Sequence, residues 1–239
     1  MSAEFELIGL AIALYLYDST FMLYADDGLL LRTGKGWRAM LGSDEFVLFR
    51  RYVYVANPLT PYVPVVRLAW RMDSVPTEPS VADWPAAVVS LRNATPFVLL
   101  AGISLYVVLP AALLIPLGSG VVLSSALCIY GGIASALWMI YPVCRRAQWS
   151  NWRFASMAFE CLACPPFGVN VIRRIAQRLG VDEDYVLAAE RLQAADWTST
   201  KATCIERSRL ALEEEPLDSE RALRLREAMR VRFGEGEPA

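Results

Sequence analysis

The chain has 239 residues, 55% of them hydrophobic, with a formal net charge of −2 and a mean hydropathy of +0.34; it is too apolar for an ordinary water-soluble domain of this length. From Arg145 onward basic and acidic residues number fifteen each, so that part of the chain gives no electrostatic case for a nucleic-acid partner. Histidine is absent, which removes the usual general base, the commonest zinc ligand and the proximal ligand of most haem sites, so most enzyme chemistries lose their central residue and neither cofactor nor metal is expected.

The first element is a run from Phe5 to Tyr24, about 20 residues and about 30 Å as a helix, enough to cross a bilayer. Met1 to Glu6 carries Glu4 and Glu6 and no Lys or Arg, which argues for a retained anchor over a cleaved signal peptide. Residues 1–24 are read as this anchor. Asp18 lies inside it, about 9–12 Å below the inner end. At that depth the neighbouring spans offer the hydroxyls of Ser104, Tyr106 and Ser135 and no cation, so Asp18 is expected to be a buried carboxylate bonded to those hydroxyls. An acid inside a span is a functional candidate by default.

Residues 25–95 read as a cytoplasmic segment with β character. "GLLLR", a "TGKG" turn and "EFVLFRRYVYV" supply branched and aromatic residues bounded by Gly, Asn and Pro. "TGKG" lacks the full phosphate-loop pattern, because Gly36 follows Lys35, and is read as a hairpin turn. "NPLTPYVP" and "DSVPTEPSVADWP" follow as a proline-rich extended connector that brings Trp84 to the membrane surface.

From Asn93 to Cys144 there is no Asp, Glu, Lys or Arg. That is room for two spans, at about 96–117 and 121–143, joined at Gly118-Ser119-Gly120. Pro110 and Pro116 are expected to kink the outer half of the second. Gly120, Ser124, Cys128, Gly132 and Ala136 recur every four residues on the third and form a small-residue stripe for helix packing, with the second span as the nearest partner.

Residues 144–239 read as a helical cytoplasmic region. Cys161 and Cys164 have the spacing of a redox pair or half a metal site, but Pro165-Pro166 follows directly and points to a helix end, which favours apolar packing of both thiols. Arg173, Arg174 and Arg178 are candidates for anionic headgroups or simple topology markers. The last helix, Leu217 to Phe233, gathers Leu217, Ala222, Leu225 and Met229 near one face, as a docking surface would; Asp182 and Asp218 or Ser219 are the expected helix caps.

"LYLYDS", "NPLTP" and "FECLACPPFGVNVIRR" resemble motifs in a group of uncharacterised proteobacterial inner-membrane proteins. The resemblance implies a bacterial inner membrane and no particular chemistry.

Basic residues set the orientation. Eight Lys and Arg lie between Asp26 and Arg92 and fifteen between Arg145 and Arg232, with none at the extreme N-terminus or in the Gly118–Gly120 turn. The positive-inside bias puts both basic segments in the cytoplasm and the N-terminus outside. The sequence therefore reads as a mainly α membrane protein with three transmembrane helices, a small β-containing cytoplasmic segment and a helical tail. The bilayer is its first partner. Its expected role is a non-enzymatic scaffold or accessory subunit that docks a membrane or cytoplasmic protein. The rivals are an oligomeric transport component built on Asp18, in which a second copy of the chain is the partner, and a thiol-dependent redox protein built on Cys161 and Cys164.

Overall fold

The computed structural model describes residues 3–49, 51–70, 83–115, 118–179, 181–213, 216 and 219–233. The chain divides into two units, each assembled from separated stretches. The first comprises Met1–Phe21, Val55–Pro64 and Asp83–Leu179, the second Met22–Tyr54, Val65–Ala82 and Gly180–Ala239. Cuts at 24, 95 and 143 follow changes of hydropathy along the chain, whereas the units join stretches that are distant in sequence.

In the first unit, α1 (Ala3–Asp18) is apolar on all sides from Leu7 to Tyr17, with Glu4, Glu6 and Asp18 at its ends. It stops at Asp18, short of the expected Tyr24, because Ser19 and Thr20 turn their hydroxyls back onto the carbonyls of Tyr15 and Leu16, at 2.9 and 2.8 Å. Such side-chain bonds compete with helix propagation. Residues Thr20–Leu23 then form a strand, β1.

The second apolar helix begins earlier than expected. Segments α2 (Trp84–Leu91), α3 (Thr95–Ile103) and α4 (Leu109–Leu114) run on through a 3-10 turn at Arg92–Ala94 and a π-helical turn at Ser104–Val108. Trp84 is fully buried at the start of α2, not held in an extended connector. The π turn lies directly before Pro110, whose ring would clash with the carbonyl four residues back in a plain α-helix. Pro116, most of "DSVPTEPSVADWP", Leu217, Asp218 and the last six residues lie outside the described residues. Gly118, at φ +89°, turns the chain into α5 (Ser119–Arg146). The runs Trp84–Leu114 and Ser119–Arg146 are two helices long and apolar enough to cross a membrane.

Helices α3 and α5 pack tightly. A Cβ on Gly132 would sit 2.8 Å from the carbonyl oxygen of Phe97 and 3.1 Å from Cβ of Ala101, so only glycine allows this approach. After α5 come α6 (Asn151–Ala163), α7 (Pro165–Val169) and α8 (Val171–Arg178). Ser150 caps α6 by accepting from the Arg153 amide at 3.1 Å.

In the second unit, β2 (Asp27–Thr33), β3 (Gly36–Met40) and β6 (Val65–Ala69) form an antiparallel sheet in the order β3-β2-β6. "TGKG" is the two-residue hairpin turn between β2 and β3, with Thr33 paired to Gly36. β4 (Ser43–Leu48) pairs antiparallel with β5 (Arg51–Val55). β6 is absent from the sequence reading, where the prolines around it suggested only extended chain.

Tyr185 opens α9 (Tyr185–Arg191) and packs into the sheet. A Cβ on Gly28 would fall within 2.3–2.5 Å of its ring. Its hydroxyl donates to the Met40 carbonyl at 3.1 Å, and Trp70 and Trp197 border the ring. The cap of α9 is Asp184, not Asp182: its Oδ1 accepts from the amides of Val186 and Leu187 at 3.0 and 3.4 Å. α10 (Trp197–Glu213) and α11 (Glu220–Phe233) complete the unit. Ser219 caps α11, accepting from the Ala222 amide at 3.0 Å. The buried face of α11, with Ala222, Leu225, Ala228 and Arg232, packs on α10. Of the face read from sequence as a docking surface, Ala222 and Leu225 are thus covered by the chain itself and Met229 is half-buried.

Candidate functional site

The polar residues of the first unit converge where α1, the Asn57–Thr60 turn, α6 and α8 meet. Asp18 ends α1, and Arg174, on the first half of α8, donates to it at 2.7 Å. The same guanidinium donates to Glu160 of α6 at 2.5 Å and lies over the ring of Phe167. Arg178 reaches Glu160 at 3.3 Å. Two acids thus meet two arginines, and the cluster carries no net charge. The side chains of Asp18 and Arg174 are only 13% and 12% exposed, so each needs the other: a charge removed from water is tolerated when it is paired.

Beside this pair, Arg173 is 1% exposed. Its guanidinium donates to the carbonyls of Asn57 and Thr60, both at 2.6 Å, and to Ser19 Oγ and Asn170 Oδ1, both at 3.3 Å. The Asn170 amide donates to Ser19 Oγ at 3.1 Å. Tyr15 donates its hydroxyl to the Pro58 carbonyl, and Ala56 donates its amide to the Ser19 carbonyl at 2.9 Å. Arg173 acts as a clamp: a fork of donors satisfies the carbonyls of a turn that prolines keep out of any sheet.

These distances correct the expectation for Asp18. It does not depend on hydroxyls inside the spans, because a cation from α8 reaches it. Ser104 is buried and offers only its carbonyl, which accepts from Ser125 Oγ at 3.0 Å. The Tyr106 ring packs on Tyr15 at 4.9 Å with the planes tilted by 46°, and its buried hydroxyl has no hydrogen-bond partner among the described residues. Ser135 is half-buried on α5.

The other candidates separate in the same way. In the small-residue stripe, Gly132 and Ala136 are buried, Cys128 is half-buried, and Gly120 and Ser124 are exposed, so the close approach is confined to the inner part of the stripe. Cys161 is buried at the end of α6 and Cys164 half-buried at its boundary with α7; both are free thiols. Among the described residues no group of three or more His, Cys, Asp or Glu is placed to hold a metal. Arg173 and Arg174 are engaged inside the protein, which leaves Arg178 as the one of the three with a largely open side chain, 42% exposed. Headgroup binding by the trio loses its main donors.

Sequence reasoning missed Glu160, Asn170 and the carbonyls of Asn57 and Thr60. The available signal was that "LYLYDS", "NPLTP" and "FECLACPPFGVNVIRR" each hold polar residues among apolar ones, and all three stretches supply the cluster.

In the second unit, Asp184 Oδ2 pairs with Arg232 at 2.8 Å, with side chains 5% and 2% exposed. Burial pushes the Cys204 thiol up to about 12, with Arg207 pulling the other way. A shallow cleft of about 350 Å³ lies between Arg38–Gly42 and the start of α10. Its Arg38 and Asp196 pair with each other, and Ser199 and Thr200 donate their hydroxyls to the Asp196 carbonyl, so its polar groups are satisfied locally.

No family model, curated protein or solved structure matches this chain.

Proposed function

We propose that the chain is a three-span bacterial inner-membrane protein, N-terminus outside and C-terminus in the cytoplasm, acting as a non-enzymatic scaffold or accessory subunit for a protein partner. The observation that carries this reading is the charge-neutral cluster of Asp18, Arg174, Glu160 and Arg178. A proton- or ion-carrying acid needs a site from which its charge can come and go, whereas Asp18 is held by a fixed guanidinium. The cluster joins the end of α1 to α6 and α8, which is the work of a structural clasp.

Support for the membrane assignment comes from exposed apolar surface. Leu7, Leu10 and Tyr17 on α1, Ile103 and Val107 on the second helix, and Leu123, Leu127 and Trp138 on α5 are all more than half exposed, a pattern that fits lipid and not water. Helix α1 packs on α4 and α7, and with Asp18 at the α7–α8 end it runs parallel to α5. As a helix it is about 24 Å long, shorter than the two helices that reach the length of a span. The bacterial inner membrane is supported by the sequence resemblance and the cytoplasmic side by the distribution of Lys and Arg.

Reporter fusions after Arg92 and Phe233 should read cytoplasm, and a fusion at Ser119 the outside. Mild solubilisation followed by mass spectrometry should recover a stoichiometric partner from wild type. Ion or proton flux in reconstituted vesicles that disappears in Asp18→Asn would overturn the scaffold reading.

A further inference from the structure

From the packing of α6, α7 and α8 we infer that residues 151–178 form a re-entrant helical hairpin, which dips into the bilayer leaflet on the basic side and presents the outer face of α6 to phospholipid. The inference rests on the membrane-spanning reading of α5 and of the second helix.

Depth along α5 is the first argument. Tyr141 meets Phe154 edge-on at 5.0 Å, and Arg145 donates to Asn151 at 3.0 Å, so α6 starts beside the end of α5 and folds back along it. Its tip lies far down the same helix: a Cβ on Gly168 would be 2.6 Å from Cδ1 of Ile133, and one on Gly102 would touch Val169 at 3.4 Å. From Arg146 back to Ile133 is about 20 Å of helix, and α6, with 13 residues, is also about 20 Å long. The two lengths match, so α6 descends to the middle of the spans. α8 then returns against α2 and α5. The broken backbone at Cys164–Pro165 lies where α7 packs on α1, α3 and α5, and irregular backbone at membrane depth is tolerated when protein surrounds it.

The surface of α6 is the second argument. Its inner side buries Met157 and Cys161. A helix covered on one side and wet on the other carries polar residues outward, yet Trp152 is 83% exposed, Phe159 74% and Leu162 36%. Arg145, Arg146 and Arg153 surround its upper end, as suits an anionic headgroup layer. Glu160 is the acid on this helix, and Arg174 and Arg178 neutralise it.

The test is thiol accessibility in vesicles of phosphatidylcholine and phosphatidylglycerol. Cys128 and Cys164 are replaced by Ser, the buried Cys144, Cys161 and Cys204 stay, and single cysteines are introduced as Asn151→Cys, Phe159→Cys, Leu162→Cys and Leu127→Cys. All four positions lie on the protein surface. The probe is a charged, membrane-impermeant maleimide applied to both faces. Phe159→Cys and Leu162→Cys should react about tenfold or more slowly than Asn151→Cys, because a thiolate forms poorly away from water. If these two react as fast as Asn151→Cys while Leu127→Cys stays shielded, the re-entrant hairpin is wrong and the spanning helices stand. If Leu127→Cys also reacts at the Asn151→Cys rate, the spanning reading falls and the hairpin with it.

Discussion

Each unit holds a buried acid–arginine pair, and the pairs differ in how they are supported. Asp184 and Arg232 in the second unit are almost sealed from water, and Asp184 has two backbone amides besides its arginine. Asp18 and Arg174 in the first unit are slightly more open, and Arg174 is shared with Glu160. The first arrangement is a closed pair that ties α11 to the start of α9; the second is a chain of charges whose middle members, Arg174 and Glu160, each have two partners. A closed pair should fail abruptly when one partner is removed, and a shared network should fail by degrees.

The largest effect is expected from Arg232→Met. It strands a sealed carboxylate and should destabilise the second unit by about 3–5 kcal/mol, visible as loss of α11 protection in hydrogen exchange. Arg174→Met should cost less, about 2–3 kcal/mol, since Arg178 still serves Glu160 and the node is less sealed; thermal unfolding in detergent measures it. Equal losses in the two variants would mean that the closed pair and the shared network fail alike. Arg178→Gln removes a half-exposed partner and should shift stability by less than about 1 kcal/mol.

A pH series sharpens the comparison from the side of the thiols. With a folded value of about 12 against 9.0 for a free thiol, Cys204 is held neutral by the fold. Its raised value contributes stability in full below pH 9, and that contribution is lost as pH rises from 9 towards 12, because the unfolded chain releases its proton first. Cys204→Ala should flatten this alkaline decline in the second unit. An unchanged slope would show that other groups cause it.

The charge-free run from Asn93 to Cys144 disclosed two helices long and apolar enough to cross a membrane. The β2–β3 hairpin was legible from its turn, as was the break after Cys164 from its prolines. Asp18 was misread for a definable reason: its cation comes from α8, distant in sequence, whereas the apolar helices that carry Ser104, Tyr106 and Ser135 hold none at that level. Periodicity likewise showed that α11 has an apolar face but not that α10 covers it. Long-range partnership leaves no mark in local pattern, and Arg173 illustrates this most fully, since it serves two backbone carbonyls that any sequence could supply.

The separation of Asp18 and Arg174 along the chain also bears on biosynthesis. They are 156 positions apart, so at about 5–20 residues per second the carboxylate leaves the ribosome roughly 8–30 s before its cation exists. During that interval α1 carries an unmatched acid at its end, and if α1 is a span, as proposed above, an insertion machinery must either hold the helix in a wet environment or accept it protonated. Nascent chains arrested before Arg174 should therefore dwell with the insertase, and chains extended past it should be released into lipid.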